Sequence, residues 1–483
     1  MKTISLGKST IYMTLASVGQ KLISFVYFAI IARVLGAEDT GKYFFALSFT
    51  TIFVVFVDLG LTNVMVREGA KTKEKISTFV SSVLFLKFFL GIFSYLIMVT
   101  VLFALHYKIE TRTLVFISGV TMLSDSLQLT LYGALRALGN IKYEAFGIVM
   151  SQLLTLICGS VVLYMKLPLF FLMYAFLIPS FLNAVFAWFV VTKKYQVRLR
   201  PKYSREIIYY IFPIAIPFAL ATIFGRIFSY ADSIILSKMV GDTAVGWYSV
   251  PYKITNAIQF IPFALIAGLY PRMSEYFAHD QKRLSVVFSQ GLRYLMMISI
   301  PFSIASIILA KDLIYRFFGP GYEQSVLPMQ ILMVGVCATF LNILLGALLN
   351  ATGRQKIQTA FVGTTMAFNI MLNILLIPRL GVVGAALTGT LSNTILLIIS
   401  FAVAHRIIQI KYRESGILLT KLLIACAGMW AVLWYTTVLH DVVVRGICGI
   451  LAFVIVAMAL RVVSKEDLQY LASLRTKNIP TSI

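Results

Sequence analysis

This sequence predicts an all-α polytopic membrane protein with about 14 transmembrane helices. Two parallel-repeat six-helix lobes are expected around a central cavity, followed by two C-terminal helices. Three observations predict it. The 483 residues are 59% hydrophobic and only 13% charged, with a mean hydropathy of +0.89, whereas soluble domains carry about 25% charged residues. Apolar windows of about 20 residues recur along the whole length. The chain also repeats its own motifs at a nearly constant offset.

The windows fall near 10–32, 43–66, 79–105, 113–135, 144–165, 168–192 and 207–237. A second set falls near 243–270, 285–310, 324–349, 357–378, 381–404, 415–437 and 442–463. The first is read as a span and not a cleaved signal, because it is long, contains Lys21 and has no small-residue cleavage site behind it. Prolines at 213, 217, 251, 262 and 301 are expected to interrupt spans 7, 8 and 9. Connections are short, so no large extramembrane domain is expected.

The formal net charge of +23 would suggest nucleic acid in a soluble chain. Here, placing the N-terminus inside puts most of the 42 Lys and Arg in the loops of one side, which the positive-inside rule explains without nucleic acid. Both termini are then cytoplasmic and the protein is a multi-pass protein of the plasma membrane. The densest basic loop, KKYQVRLRPKYSRE at 193–206, reads as a cytoplasmic linker. It divides an N-lobe (1–192, spans 1–6) from a C-lobe (207–404, spans 7–12), with spans 13 and 14 in 405–463. The tail 464–483 has a capping pattern from Ser464 to Asp467, with Leu468, Leu471 and Leu474 on one side, and predicts a short surface helix.

The repeat carries the argument further. GAEDTGKY at 36–43 matches GDTAVGWY at 241–248 as G-x4-G-x-Y, an offset of 205 residues. The same offset pairs Ser17 with Thr222, Lys21 with Arg226, and Ser24 with Ser229, and spacings of four then three put each trio on one helical face. GALRALGNIK at 133–142 echoes GALLNATGRQK at 346–356, so span 4 corresponds to span 10. A repeat of six spans, an even number, gives two lobes of the same orientation, related by an axis along the membrane normal, with substrate between them.

The R-x-L-G-x4-G-x-Y pattern from Arg33 to Tyr43, the DLGL run at 58–61 followed by Arg67, the run from Asp232 to Tyr248 and the LYP at 269–271 resemble the polysaccharide flippase branch of the multidrug/oligosaccharidyl-lipid/polysaccharide exporter superfamily. The resemblance covers almost the whole chain and implies alternating access. Its implied substrate is a polyprenyl-pyrophosphate-linked oligosaccharide, carried from the cytoplasmic to the outer leaflet for cell-surface polysaccharide biosynthesis. Lipid II flippases and drug exporters share the architecture.

Five cations lie inside spans: Lys21, Lys87, Arg226, Lys253 and Arg293. A charge at the bilayer centre costs about 2.5–3.5 kcal/mol on insertion scales, so such residues face a wet cavity or a partner. Arg226 and its repeat mate Lys21 are the first candidates for an anionic headgroup, with hydroxyls from Ser17, Ser24, Thr222 and Ser229 around them. Lys253 joins them, sharing a face of span 8 with Ser249 and Asn256. Lys87 and Arg293 lie close enough to span ends to snorkel. Of the embedded acids, Asp125 is a candidate for H+ or Na+ coupling, Asp58 for packing or gating, and Asp232 for a contact across lobes; structural pairing is the plain alternative for each.

A drug or organic-cation exporter on the same fold is the alternative function, disfavoured because the repeat-matched charges are cations. An enzyme is not expected: His106, His279, His405 and His440 are dispersed, without HExxH, and no GxxxxGK[ST] loop is present. Cys158, Cys337, Cys426 and Cys448 lie in apolar runs without CxxC spacing, as buried small hydrophobes do. No metal and no cofactor are expected. The partners are the glycan lipid and membrane lipids, with the chain acting as a monomer that meets a glycan polymerase.

Overall fold

The computed structural model describes residues 6–199, 205–409, 412–436 and 441–462, and every regular element among them is helical. Unpaired backbone groups cost several kcal/mol in hydrocarbon, so apolar segments of this length close their hydrogen bonds locally. The first half holds α1 (Leu6–Asp58), α2 (Leu61–Lys71), α3 (Ile76–Ala104), α4 (Ile109–Ala137), α5 (Lys142–Tyr164) and α6 (Phe170–Phe189). The second holds α7 (Arg205–Met239), α8 (Asp242–Ile258), α9 (Phe260–His279), α10 (Gln281–Ile308), α11 (Ala310–Phe317), α12 (Val326–Ala351), α13 (Gln355–Leu380) and α14 (Val382–Ala404). Then come α15 (Tyr412–Tyr435) and α16 (Val442–Ala459), which pack on each other and reach the rest mainly through α10. The tail 464–483, with its expected surface helix, and positions 200–204 of the basic linker lie outside the described residues.

Thirteen described stretches are long and apolar enough to cross a membrane, and the first runs 47 residues from Tyr12 to Asp58. At 1.5 Å per residue that is about 70 Å, twice a hydrocarbon core. It bends at Gly36, with φ 76° and ψ −178°, so α1 supplies two spans and the bundle makes 14 crossings. Gly241, the repeat mate of Gly36, has φ 115° and ψ 177°, the same glycine-only region. The second echo matches as well. After α4, Asn140 donates its N–H to Leu135 O at 2.9 Å; after α12, Arg354 donates to Leu349 O at 2.7 Å. Gly139 and Gly353 both take positive φ in these caps.

The two copies of the G-x4-G motif pack on each other reciprocally. A Cβ on Gly41 would overlap the carbonyl of Asp242, and a Cβ on Gly246 would overlap the carbonyl of Ala37. Since Asp242 is the repeat mate of Ala37, the contact has local two-fold character. Around it, Arg33 Nη1 donates to Arg316 O at 2.7 Å, Lys238 Nζ donates to Leu105 O at 2.7 Å, and Tyr322 Oη donates to Ala32 O at 3.0 Å. This end of the bundle, the Gly36 end, is closed by groups that meet main-chain carbonyls.

At the opposite end, α1 stops at Asp58, not at the expected 66, because Leu59 (φ 44°) and Gly60 (φ 75°) turn the chain into the separate helix α2. Asp58 forms an ion pair with the buried Lys87 of α3 and accepts from Thr62 Oγ1 at 2.5 Å; Lys87 donates to the same hydroxyl at 2.8 Å. Lys87 therefore does not snorkel, being 5% exposed. Beside this clamp, Gly60 lies against Ala215 and Phe218 of α7, and Tyr210 Oη donates to Glu68 Oε2 at 3.1 Å.

The prolines at 213, 217, 251 and 301, expected to interrupt spans 7, 8 and 9, lie inside unbroken helices, whereas Pro262 follows the interruption at Gln259 by three residues. α7 runs through positions 213 and 217, α8 contains Pro251, and α10 contains Pro301. Pro251 has no N–H for the carbonyl of Trp247, which accepts from Ser325 Oγ at 2.7 Å instead. The interruption in span 8 falls at Gln259, between α8 and α9. α8 follows α1 closely, whereas α9 turns away and packs on α10 and α12.

Candidate functional site

Where the two halves meet, α1, α4, α5, α6, α7 and α8 enclose a cavity of about 360 Å³. Lys21 and Ser24 enter from α1, Asp125 from α4, and Lys253 and Asn256 from α8, with Gln20, Gln152, Thr51 and Thr121 completing the polar wall. Lys21 Nζ donates to the Asn256 carbonyl at 3.1 Å, tying the halves together. Lys253 Nζ lies 5.3 Å from the Phe28 ring centroid and 5.7 Å from that of Phe44, within cation–π range. Asp125 accepts from Ser180 Oγ at 2.5 Å. Neither lysine forms an ion pair among the described residues, so both keep donors available for an anion.

Lys21, Ser24 and Lys253, expected around the headgroup, and Asp125, expected for coupling, thus meet at one cavity. The remaining candidates stand elsewhere. Arg226 and Thr222 are exposed on α7 and do not line it; Thr222 Oγ1 bonds back to Phe218 O at 2.8 Å. Ser17 is partly buried on α1, also outside the cavity lining. Ser229 and Asp232 line a second cavity of about 200 Å³ in the C-terminal half. Asp58 is held in its clamp with Lys87.

In that second cavity Asp232 accepts from Tyr248 Oη at 2.7 Å and from Asn373 Nδ2 at 2.6 Å. Asn373 Nδ2 also donates to Asn369 Oδ1 at 3.0 Å. Sequence reasoning missed Asn369 and Asn373, although two carboxamides four apart in an apolar run mark one polar face of α13. Gln20, Thr51 and Gln152 were missed as well, being uncharged groups on otherwise apolar helices. No group of three or more His, Cys, Asp and Glu is placed to hold a metal among the described residues.

A bundle of paired repeats, closed at one end, with a polar cavity inside and cations from both halves, defines the class: a membrane transporter. The family described as polysaccharide biosynthesis protein matches residues 6–277, and the MatE family matches 217–375. Capsular polysaccharide biosynthesis protein CapF of Staphylococcus aureus is 23% identical over 406 residues, covering 80% of this chain and 96% of CapF. Among solved structures, lipid II flippase MurJ in an inward closed conformation aligns with TM-score 0.77 at 17% identity, covering 95% of this chain and 100% of that one. An inward-facing MATE multidrug resistance transporter aligns with TM-score 0.69 at 16% identity, covering 80% and 94%. The chain belongs to the polysaccharide biosynthesis protein family, and its fold is that of the MurJ and MATE structures. It is a multi-pass membrane protein of a transporter family and not an enzyme.

Proposed function

We propose that the protein is an alternating-access flippase that carries a polyprenyl-pyrophosphate-linked oligosaccharide from the cytoplasmic to the outer leaflet. The observation that carries this reading is the pair Lys21 and Lys253, brought from opposite halves to one cavity without a carboxylate paired to either. A pyrophosphate offers several acceptor oxygens to two ammonium groups. Ser24, Thr51, Asn256 and Gln152 offer neutral bonds to phosphate or to the first sugar. Arg226, which makes no ion pair among the described residues, is a third cation for a conformation in which α7 has moved, together with Thr222 and Ser17. The excess of Lys and Arg near the Asp58 end supports a cytoplasmic position for it under the positive-inside rule, with the linker 193–206 dividing the lobes.

We assign ion coupling to Asp232 before Asp125 or Asp58. Asp232 sits in a buried amide and hydroxyl cluster apart from the cations, whereas Asp125 faces the headgroup cavity and Asp58 is ion-paired.

The organic-cation exporter is the second reading, favoured by the rings of Phe44 and Tyr252 and the carboxylate of Asp125 on the same cavity. Native mass spectrometry of the purified protein separates the two. The flippase predicts retention of polyprenyl-pyrophosphate glycans, lost in Lys21→Ala/Lys253→Ala. Retention of lipophilic cations alone, abolished by Asp125→Asn, would establish the exporter.

A further inference from the structure

A cavity of about 1100 Å³ lies apart from the one that holds Lys21 and shares no residue with it. It lies at the Asp58 end, between the start of α10, the α14–α15 connection, α15 and the residues just after α16. Five cations line it from four elements: Lys282 and Arg293 from α10, Arg406 from the connection, Lys421 from α15, and Arg461 after α16. Among the described residues two carboxylates, Asp280 and Glu414, face them. Asp280 is already committed, pairing with Arg283 at 3.4 Å and capping α10 through Arg283 N at 3.0 Å. Lys282, Arg406, Lys421 and Arg461 make no ion pair among the described residues. Like charges gathered in a pocket repel one another unless an anion joins them.

The depth and the walls narrow the choice of anion. Four spans end here, at headgroup level. On the walls, Val286 of α10 is 48% exposed and Ile417 of α15 is 50% exposed, an apolar surface beneath the charges. We propose that this pocket binds an anionic diacyl phospholipid of the surrounding bilayer, its phosphate among Arg406, Lys421 and Arg461 and its acyl chains along α10 and α15. The lipid then acts as a non-covalent staple, because α15 and α16 reach the rest of the bundle mainly through α10.

Native mass spectrometry of the full-length protein tests this with phosphatidylglycerol, phosphatidylethanolamine and a polyprenyl pyrophosphate, on wild type, Arg406→Gln/Lys421→Gln and Lys21→Ala/Lys253→Ala. Wild type is expected to retain phosphatidylglycerol over phosphatidylethanolamine. Arg406→Gln/Lys421→Gln is expected to lose about thirtyfold of phosphatidylglycerol affinity, as removal of two interfacial cations implies, and to keep the polyprenyl pyrophosphate. The Lys21/Lys253 variant should keep phosphatidylglycerol. Three results would each overturn the proposal: equal retention of the two phospholipids by wild type, undiminished phosphatidylglycerol binding in Arg406→Gln/Lys421→Gln, or loss of the polyprenyl pyrophosphate from that variant. The charge-preserving variant Arg406→Lys/Lys421→Arg controls for folding, and its failure to retain phosphatidylglycerol also counts against the site.

Discussion

The two halves share a frame and differ in what they put into it. Their cavities correspond position by position: Ser24 with Ser229, Thr51 with Asn256, Thr121 with Gly335, Met122 with Val336, and Asp125 with Thr339. The first cavity is charged, holding Lys21, Asp125 and the Lys253 that reaches in from the other half; the second holds one acid, Asp232, wrapped in amides and a phenol. The frames diverge at one place as well. In the first half the span after Gly36 runs unbroken to Asp58, where Lys87 pins it. In the second, the span after Gly241 breaks at Gln259 and α9 turns away. Duplication has kept the geometry of the walls while one half became a clamped support and the other a jointed one.

The sharpest way to break that contrast is at the clamp. Asp58→Ala leaves Lys87 buried without its counter-ion and is expected to cost about 3–5 kcal/mol, read as a lowered thermal midpoint in detergent. Asp58→Leu/Lys87→Met should recover most of it. The repeat mate of Asp58 is Phe263, 54% exposed, and Phe263→Ala should cost under about 1 kcal/mol. Equal losses at the two positions would erase the distinction between clamped and jointed halves.

Headgroup binding tests the asymmetry of charge. Lys21→Gln is expected to weaken it by about 2 kcal/mol, the worth of a charge-assisted bond, or roughly thirtyfold in titrations of a polyprenyl pyrophosphate. Its repeat mate Arg226, outside the cavity, should change it less than about threefold when replaced by Gln. A larger effect at Arg226 would mean that α7 delivers that cation in the binding conformation.

Gly41→Ala places a methyl on the Asp242 carbonyl, and overpacking of this kind costs about 1–3 kcal/mol. Cysteine cross-linking between Ala37→Cys and Asp242→Cys should fall in that variant as the Gly36 end is forced apart. Unchanged cross-linking would show that the two backbones need not touch.

A modest effect is expected at Tyr210. Tyr210→Phe removes one hydrogen bond to Glu68, about 0.5–1.5 kcal/mol. Hydrogen bonding from Lys71 holds the Glu68 carboxyl below its usual range, with the Tyr210 hydroxyl and the charges of Lys71 and Arg67 adding to it. A depressed carboxyl contributes stability that is complete above its unfolded value and is lost as the pH falls through its folded one. The Tyr210 contact should therefore be full at neutral pH and vanish below the ordinary glutamate range, as hydrogen–deuterium exchange of α2 at graded pH would register.

Much of the fold was legible because its signals are imposed locally. The apolar windows gave the spans, and the G-x4-G-x-Y repeat paired Gly36 with Gly241, which the structure shows taking positive φ at both places. The site was legible in part. Lys21, Lys253 and Asp125 announced themselves as charges in hydrocarbon, but a repeat argument gave Arg226 the same role as Lys21. Symmetry would have Arg226 reach the carbonyl of Thr51 as Lys21 reaches that of Asn256, and among the described residues it does not. Periodicity reports which face a residue occupies and is silent on how two lobes tilt. Lys87 was misread for a related reason, since its distance from a span end could not reveal Asp58 on a neighbouring helix.

The reciprocal seating of Gly41 and Gly246 makes the Gly36 end a seam of main chain against main chain. The backbone contact itself responds to volume, while Lys42, ion-paired with Glu38, Asp39 and Glu110, and the Asp242 carboxylate that accepts from Ser237 stand beside it at the same end. The far end, where Glu68 meets Tyr210, responds to acid. Acid therefore acts on side chains at both ends, and at the Gly36 end the seating of main chain on main chain remains as a contact that protonation cannot release.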